Sequence, residues 1–435
     1  MLTKETANTR NPPARSSMRR WRMGLPALAV LAAGTLMAGC ASNSSVPAAS
    51  GSAPIPSVPV VSEAGAATPR LVLTYEGGLL VVDARDGGVV SEHALPGFNR
   101  VNPAGDGRRA LVSTAGGFRI FDAGAWSEAH GDHAHHYRSV PVLTDLVFPA
   151  QKPGHAVVHA GSTALFDDAT GMISIFASDK LDNAALPATE VVALPEAHHG
   201  VAVPVSEGKL LVTNGNEETR NTVKLLSAPN AQHRRTTVAE SNQCPGIHGE
   251  AVATDQAVVV GCEDGILVIK DEKVSKVDSP DAYGRIGNQA GSEASSVVLG
   301  DYKKDQDAEL ERPKVFSLTD TATNSMELVD IDYSYSFRSL ARSADGDALV
   351  LGTDGKLHIY DVKSGKEKTS VDVVGPWQEP LDWQQPRPSI HVAGDTAYIT
   401  EPATKALHLV DLKTGKVART VTLPEVPNEI TSIKG

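Results

Sequence analysis

The segment Glu128-Ala129-His130-Gly131-Asp132-His133-Ala134-His135-His136-Tyr137 places four imidazoles and two carboxylates within nine residues. Neutral imidazole nitrogen and carboxylate oxygen are donors suited to Zn²⁺, and Gly131 lets the backbone wrap a tetrahedral ion. The candidate ligands are therefore His130, Asp132, His133, His135 and His136. The bland alternative is a solvated polar loop, since a His-rich tract is by itself only a compositional signal. An imidazole site binds zinc less tightly as pH falls through about 6.5.

A second group is spread along the chain. His198 and His199 precede one strand-like run, His248 and Glu250 lie in another, and His391 lies in a third. If these runs line a central channel, His199, His248 and His391 are secondary candidates for a metal or substrate site at its mouth. Hydrogen-bonded channel histidines are the competing reading. His155 and His159 share a strand face by their even spacing, and His155 beside Gly154 is expected on the same face as the His-rich segment. There is no GxSxG elbow, Walker A loop, HExxH pair or full EF-hand pattern. Trp377 and Trp383 read as packing residues.

The elements that must hold these residues are short, alternating strands. Runs such as SIHVAGD, TAYITEP, KALHLVDLKTG and KVARTVTLPE form a four-strand unit, and Asp-Gly turns punctuate similar units upstream. Equivalent strands recur near residues 71, 109, 156, 200, 248, 295, 338 and 389. That spacing fits one four-stranded propeller blade per repeat. The expectation is an all-β propeller of eight blades, with seven as the alternative. The first repeat lacks an innermost strand, and the terminal Glu429-Ile430-Thr431-Ser432-Ile433 is left over to supply it, closing the ring.

Residues 1–39 carry six basic residues ahead of the apolar run GLPALAVLAAGTLM, and Leu36-Met37-Ala38-Gly39-Cys40 resembles a bacterial lipobox. The expectation is an export signal over 1–39, starting at Met1 or Met18, cleaved before a lipidated Cys40 that anchors the protein to the outer face of the cell membrane. Residues 40–69, rich in Ala, Ser and Pro and without His, read as a tether, and 70–435 as the propeller domain. In an oxidising compartment the remaining Cys244 and Cys262 are expected to form a disulfide. The chain has Lys+Arg 40 against Asp+Glu 52, a net charge of −12 that becomes more negative once the basic leader is removed. Such a body repels nucleic acid.

HGDHAHHY, EAHHGVAVP, NQCPGIHGEAVA with VVVGCEDGILV, and SIHVAGDTAYITEPATKALHLVDL together resemble AztD-type zinc metallochaperones over about residues 70–435. The resemblance implies an exported propeller without enzymatic activity that hands Zn²⁺ to the solute-binding protein of a zinc ABC importer. It implies His130, Asp132, His133 and His135 as ligands and Cys244 with Cys262 as the disulfide. Family members carry a His-bearing N-terminal segment, whereas residues 40–69 here have no His. The competing functions are a metal-dependent, lactonase-like propeller hydrolase using His248, Glu250 and His391, and a lipid-anchored interaction scaffold.

Overall fold

The computed structural model describes residues 60–435; the signal segment 1–39, Cys40 and the tether as far as residue 59 lie outside the described residues. Among the described residues no helix is long and apolar enough to cross a membrane. The described chain is built mainly of strands: eight antiparallel sheets of four strands with sequential neighbours in contact, and a ninth, three-stranded sheet beside them. Their innermost strands are Ile430–Ile433, Arg100–Pro103, Pro153–His159, Ala202–Val205, His248–Val252, Gln289–Ala290, Leu340–Arg342 and Ser389–Ala393, here blades 1 to 8. Blade 5 adds the short strand Gly284–Arg285, paired parallel to Asp264–Lys270.

Period-two alternation explains how blades adhere. In Arg70–Tyr75, Leu71 and Leu73 point one way, against Tyr398, Leu407 and Leu409 of blade 8. Val72 points the other way, against Val101, Ala110, Val112 and Phe121 of blade 2. A middle strand is thus apolar on both faces, and each fully buried Leu or Val contributes about 1.5–3 kcal/mol. Outermost strands such as Lys366–Asp372 meet water along most of their length and are correspondingly polar.

Both ends of the chain meet in blade 1. Ile430–Ile433 pairs antiparallel with Arg70–Tyr75, so the final strand completes a sheet begun by the first residues of the ring. This pairing covers an edge that would otherwise present open backbone groups. Cys244 and Cys262 form a disulfide with Cα atoms 4.9 Å apart, fastening the entry of blade 5 to the end of its second strand. The tether ends earlier than expected: Ser62–Ala64 is already a strand, and Thr68 is buried.

Strand order also fixes where connections emerge. First and third strands of an antiparallel blade run in the same sense. The chain therefore enters every innermost strand at one face of the ring, and connections between third and fourth strands leave at the other.

Candidate functional site

The His-rich segment does join the third and fourth strands of blade 2, Gly117–Asp122 and Val142–Pro149, but as a hairpin rather than a loop. Its arms are Ala125–His130 and His133–Arg138, and Gly131 turns the corner at φ 65°, a left-handed conformation that suits glycine. The register pairs His130 with His133, Glu128 with His135, Ser127 with His136 and Trp126 with Tyr137. Alternation then sorts the side chains: His130, His133 and His135 share one face with Glu128, while His136 points to the other.

On the shared face the three rings stand 5.0–5.4 Å apart, and one nitrogen of each lies within 4.8 Å of the other two. Ser62–Ala64 adds a third strand along His133–Arg138, and Glu63 Oε1 accepts from His135 Nδ1 at 2.9 Å. Asp132 sits fully exposed in the turn, its Oδ1 3.2 Å from His133 Nδ1, so it is placed to orient that ring. The base of the hairpin is held by Trp126 stacked on Tyr137, with the Arg108 guanidinium 3.7 Å above the indole and itself paired with Asp122 at 2.6 Å. His136 instead shares a 2.7 Å hydrogen bond with Ser127 Oγ, which donates to the Gly435 carbonyl at 2.6 Å. The fold thus excludes His136 from the imidazole cluster because a strand cannot show successive residues to one face.

A second cluster joins His155 of blade 3, His199 at the entry of blade 4, and His248 of blade 5. One nitrogen of each again lies within 4.8 Å of the others, and all three rings are half-buried. Each Nδ1 is turned outward to an acceptor. His199 Nδ1 donates to Asp168 Oδ2 at 2.7 Å, His248 Nδ1 donates to the Gly287 carbonyl at 2.6 Å, and His155 Nδ1 lies 3.1 Å from Glu250 Oε2. For His199 and His248 this leaves Nε2 without a hydrogen-bond partner among the described residues, the arrangement by which outer acceptors fix tautomer and orientation of metal-binding imidazoles. The backbone is shaped for it: at Gly249, φ is 73° and a Cβ would overlap Gln289 Oε1 and the Gly287 carbonyl.

Burial holds the His248 ring neutral, its pKa pushed down to about 3 despite the Gly287 bond, with His155, His199 and Arg285 adding to the effect. At His155, burial alone would depress the pKa, but the Glu250 carboxylate outweighs it and raises it above the ordinary value. Asp168 is buried, and its Oδ1 has no hydrogen-bond partner among the described residues. The cluster opens into a cavity of ≈ 570 Å³ at the channel mouth, bounded by Arg100, Arg285, Lys303, Phe337 and Trp383. Trp383, expected as a packing residue, is thus at the rim of a site.

Three sequence expectations are corrected. His391 is not in the cluster: its Nε2 shares a 2.8 Å hydrogen bond with Ser432 Oγ, joining blade 8 to blade 1. Blade 8 stands across the ring from blade 4, so His391 cannot join His199 and His248, and the His248/Glu250/His391 grouping does not form. His155 takes the third place. His155 also does not share a face with the hairpin, since it lies near the start of an innermost strand while the hairpin leaves between third and fourth strands; the two clusters open on opposite faces of the ring. His198 is buried against Phe166 and bonded to Thr213, and His159 Nδ1 donates to the Pro204 carbonyl.

No family model matches the chain. It is 26% identical over 365 residues, 82% of its own length and 83% of the relative's, to a curated Citrobacter koseri protein named Zinc chaperone AztD. The crystal structure of Citrobacter koseri AztD superposes with a TM-score of 0.73 at 23% identity, covering 85% of this chain and 99% of that one. Dihydro-heme d1 dehydrogenase NirN shares the fold more distantly, with a TM-score of 0.55 at 11% identity over 83% of this chain and 74% of its own. Over the length of the ring, then, the chain is similar in sequence and in fold to the zinc chaperone AztD.

Proposed function

We propose that this protein is an extracytoplasmic zinc chaperone, anchored by lipid on Cys40 to the outer face of the cell membrane, that delivers Zn²⁺ to the solute-binding protein of a zinc ABC importer. The observation that carries the reading is the pair of three-imidazole clusters, one exposed on a hairpin and one in a cavity. The kinship to a zinc chaperone supports it. Three neutral imidazoles leave a tetrahedral ion one open position, through which an acceptor's ligand can enter before a donor leaves. The exposed hairpin suits fast exchange, and the cavity cluster, with an acceptor behind every ring, suits tighter holding. Without His in residues 40–69, exchange with a partner falls to the hairpin.

Competitive zinc titration of the exported chain, purified in detergent without a His-affinity column, tests this. Two equivalents bound tighter than micromolar are expected. One should be lost on changing His130, His133 and His135 to Ala, the other on changing His155, His199 and His248. Transfer to a solute-binding protein should then follow from the loaded chain. No zinc bound tighter than micromolar overturns the reading.

A further inference from the structure

The cavity above the His155, His199 and His248 cluster carries more positive charge than its own carboxylates neutralise. Of the cations that line it, Arg387 is paired with Glu379 at 2.7 Å and Arg100 with Glu429 at 3.1 Å. Arg285 has only long contacts, 3.2 Å to the Gly246 carbonyl and 3.3 Å to Glu263. Half-buried Lys303 has no side-chain hydrogen bond or ion pair among the described residues, although it lines the cavity. Arg285 and Lys303 are backbone partners in an antiparallel bridge, which sends both side chains to the same side.

Both side chains line the cavity that the three imidazoles line. The position a Cβ would take on Gly287 lies 3.6 Å from Arg285 Nε and 3.8 Å from both His248 Nδ1 and Asp301 Oδ2, so the guanidinium stands close to that ring. Asp168 and Glu250 stand behind the rings, and the cavity's other lining carboxylate, Glu379, is paired with Arg387. The cavity's apolar lining is formed by Phe337, Leu340, Leu381 and Trp383.

We infer that this cavity is a carboxylate subsite: a carboxylate oxygen completes the coordination of the ion held by His155, His199 and His248, while Arg285 and Lys303 receive the remainder of the anion. Coordination through oxygen forms one Zn–O bond, displaces water and changes no oxidation state. An anion with a short carbon backbone matches a cavity lined by both cations and apolar side chains. The carboxylate has two sources, a free small dicarboxylate or an acidic side chain of an acceptor protein. Either way the ion is held and released as a ternary complex. The inference rests on the reading of this cluster as a metal site.

The test uses the exported full-length chain carrying His130→Ala, His133→Ala and His135→Ala, so that one cluster remains, loaded with one equivalent of Co²⁺ and followed by its visible absorption in chloride-free buffer. Succinate is expected to change the cobalt bands saturably, and Lys303→Gln to weaken succinate at least tenfold with Co²⁺ uptake unchanged. A short peptide with a single Glu, titrated in parallel, separates the sources: tighter peptide binding assigns the subsite to a protein side chain, tighter succinate binding to a free carboxylate. Failure to take up Co²⁺ overturns the metal reading and this inference with it. Normal uptake with bands unmoved by either carboxylate, or an equal response in Lys303→Gln, overturns this inference alone.

Discussion

Glu63 and His135 stand 72 residues apart in the chain, yet Glu63 Oε1 accepts a 2.9 Å hydrogen bond from His135 Nδ1. The contact exists because Ser62–Ala64 pairs with the hairpin, placing Glu63 opposite Tyr137 and on the face that carries the imidazoles. The segment that precedes the propeller therefore supplies an orienting carboxylate to the exposed cluster. Removing an orienting partner behind a metal-bound imidazole lowers affinity about 10–100-fold, with an exposed pair at the low end. Glu63→Gln should weaken zinc at the hairpin about tenfold, read by competitive titration in a chain whose cavity cluster has been removed.

The hairpin register predicts an asymmetry among adjacent histidines. His135→Ala should abolish tight binding at this cluster, whereas His136→Ala should leave stoichiometry and affinity within about twofold, because His136 faces Ser127 on the other side. Equal losses from the two substitutions, measured by the same titration, would show that the strand register does not select the ligands.

Zinc binding at the cavity cluster should depend on pH through His155. Burial works against the imidazolium there, but Glu250 outweighs it and holds the folded pKa above the ordinary 6.5. Protons therefore compete with zinc until pH rises past that raised value. Glu250→Gln removes the stabilising charge, so the midpoint of the binding-versus-pH curve should move to lower pH even as the plateau affinity falls. Titrations between pH 5 and 8 in the hairpin-deleted chain check this; an unmoved midpoint contradicts the coupling.

Stability of the metal-free protein should fall in acid for a related reason. His391, deep in the ring, has its pKa pushed down to about 4 by burial. The unfolded chain takes up a proton near 6.5 while the folded one does not. The stabilising contribution is thus complete above 6.5 and lost as pH falls from there toward 4, a change of about 3 kcal/mol. His391→Gln should flatten the urea-unfolding free energy across that window by about this amount. A slope matching wild type would show that His391 is free to protonate in the fold.

Residue types and period determined much of this protein directly. The His-rich segment was legible because its ligands are neighbours in sequence, and the blade map because turn residues and alternating strands repeat at a regular spacing. The Cys244–Cys262 disulfide was legible as the pair of cysteines left over on the expectation of export. Even the cavity cluster left a trace, since His155, His199 and His248 recur at about the blade period and mark equivalent places in three consecutive blades.

What the tertiary structure alone decided was convergence and direction. His155 rather than His391 completes the cavity cluster because closing the ring sets blades 3, 4 and 5 side by side and blade 8 across from them. His136 left the hairpin cluster once the segment proved to be paired strands, whose side chains alternate, and Glu63 entered it through a pairing that no local pattern announces. The opposite-facing clusters follow from the sense in which antiparallel strands run. Each of these is a long-range consequence of backbone pairing, and side-chain identity acquires its chemistry only after that pairing has fixed which neighbours it meets.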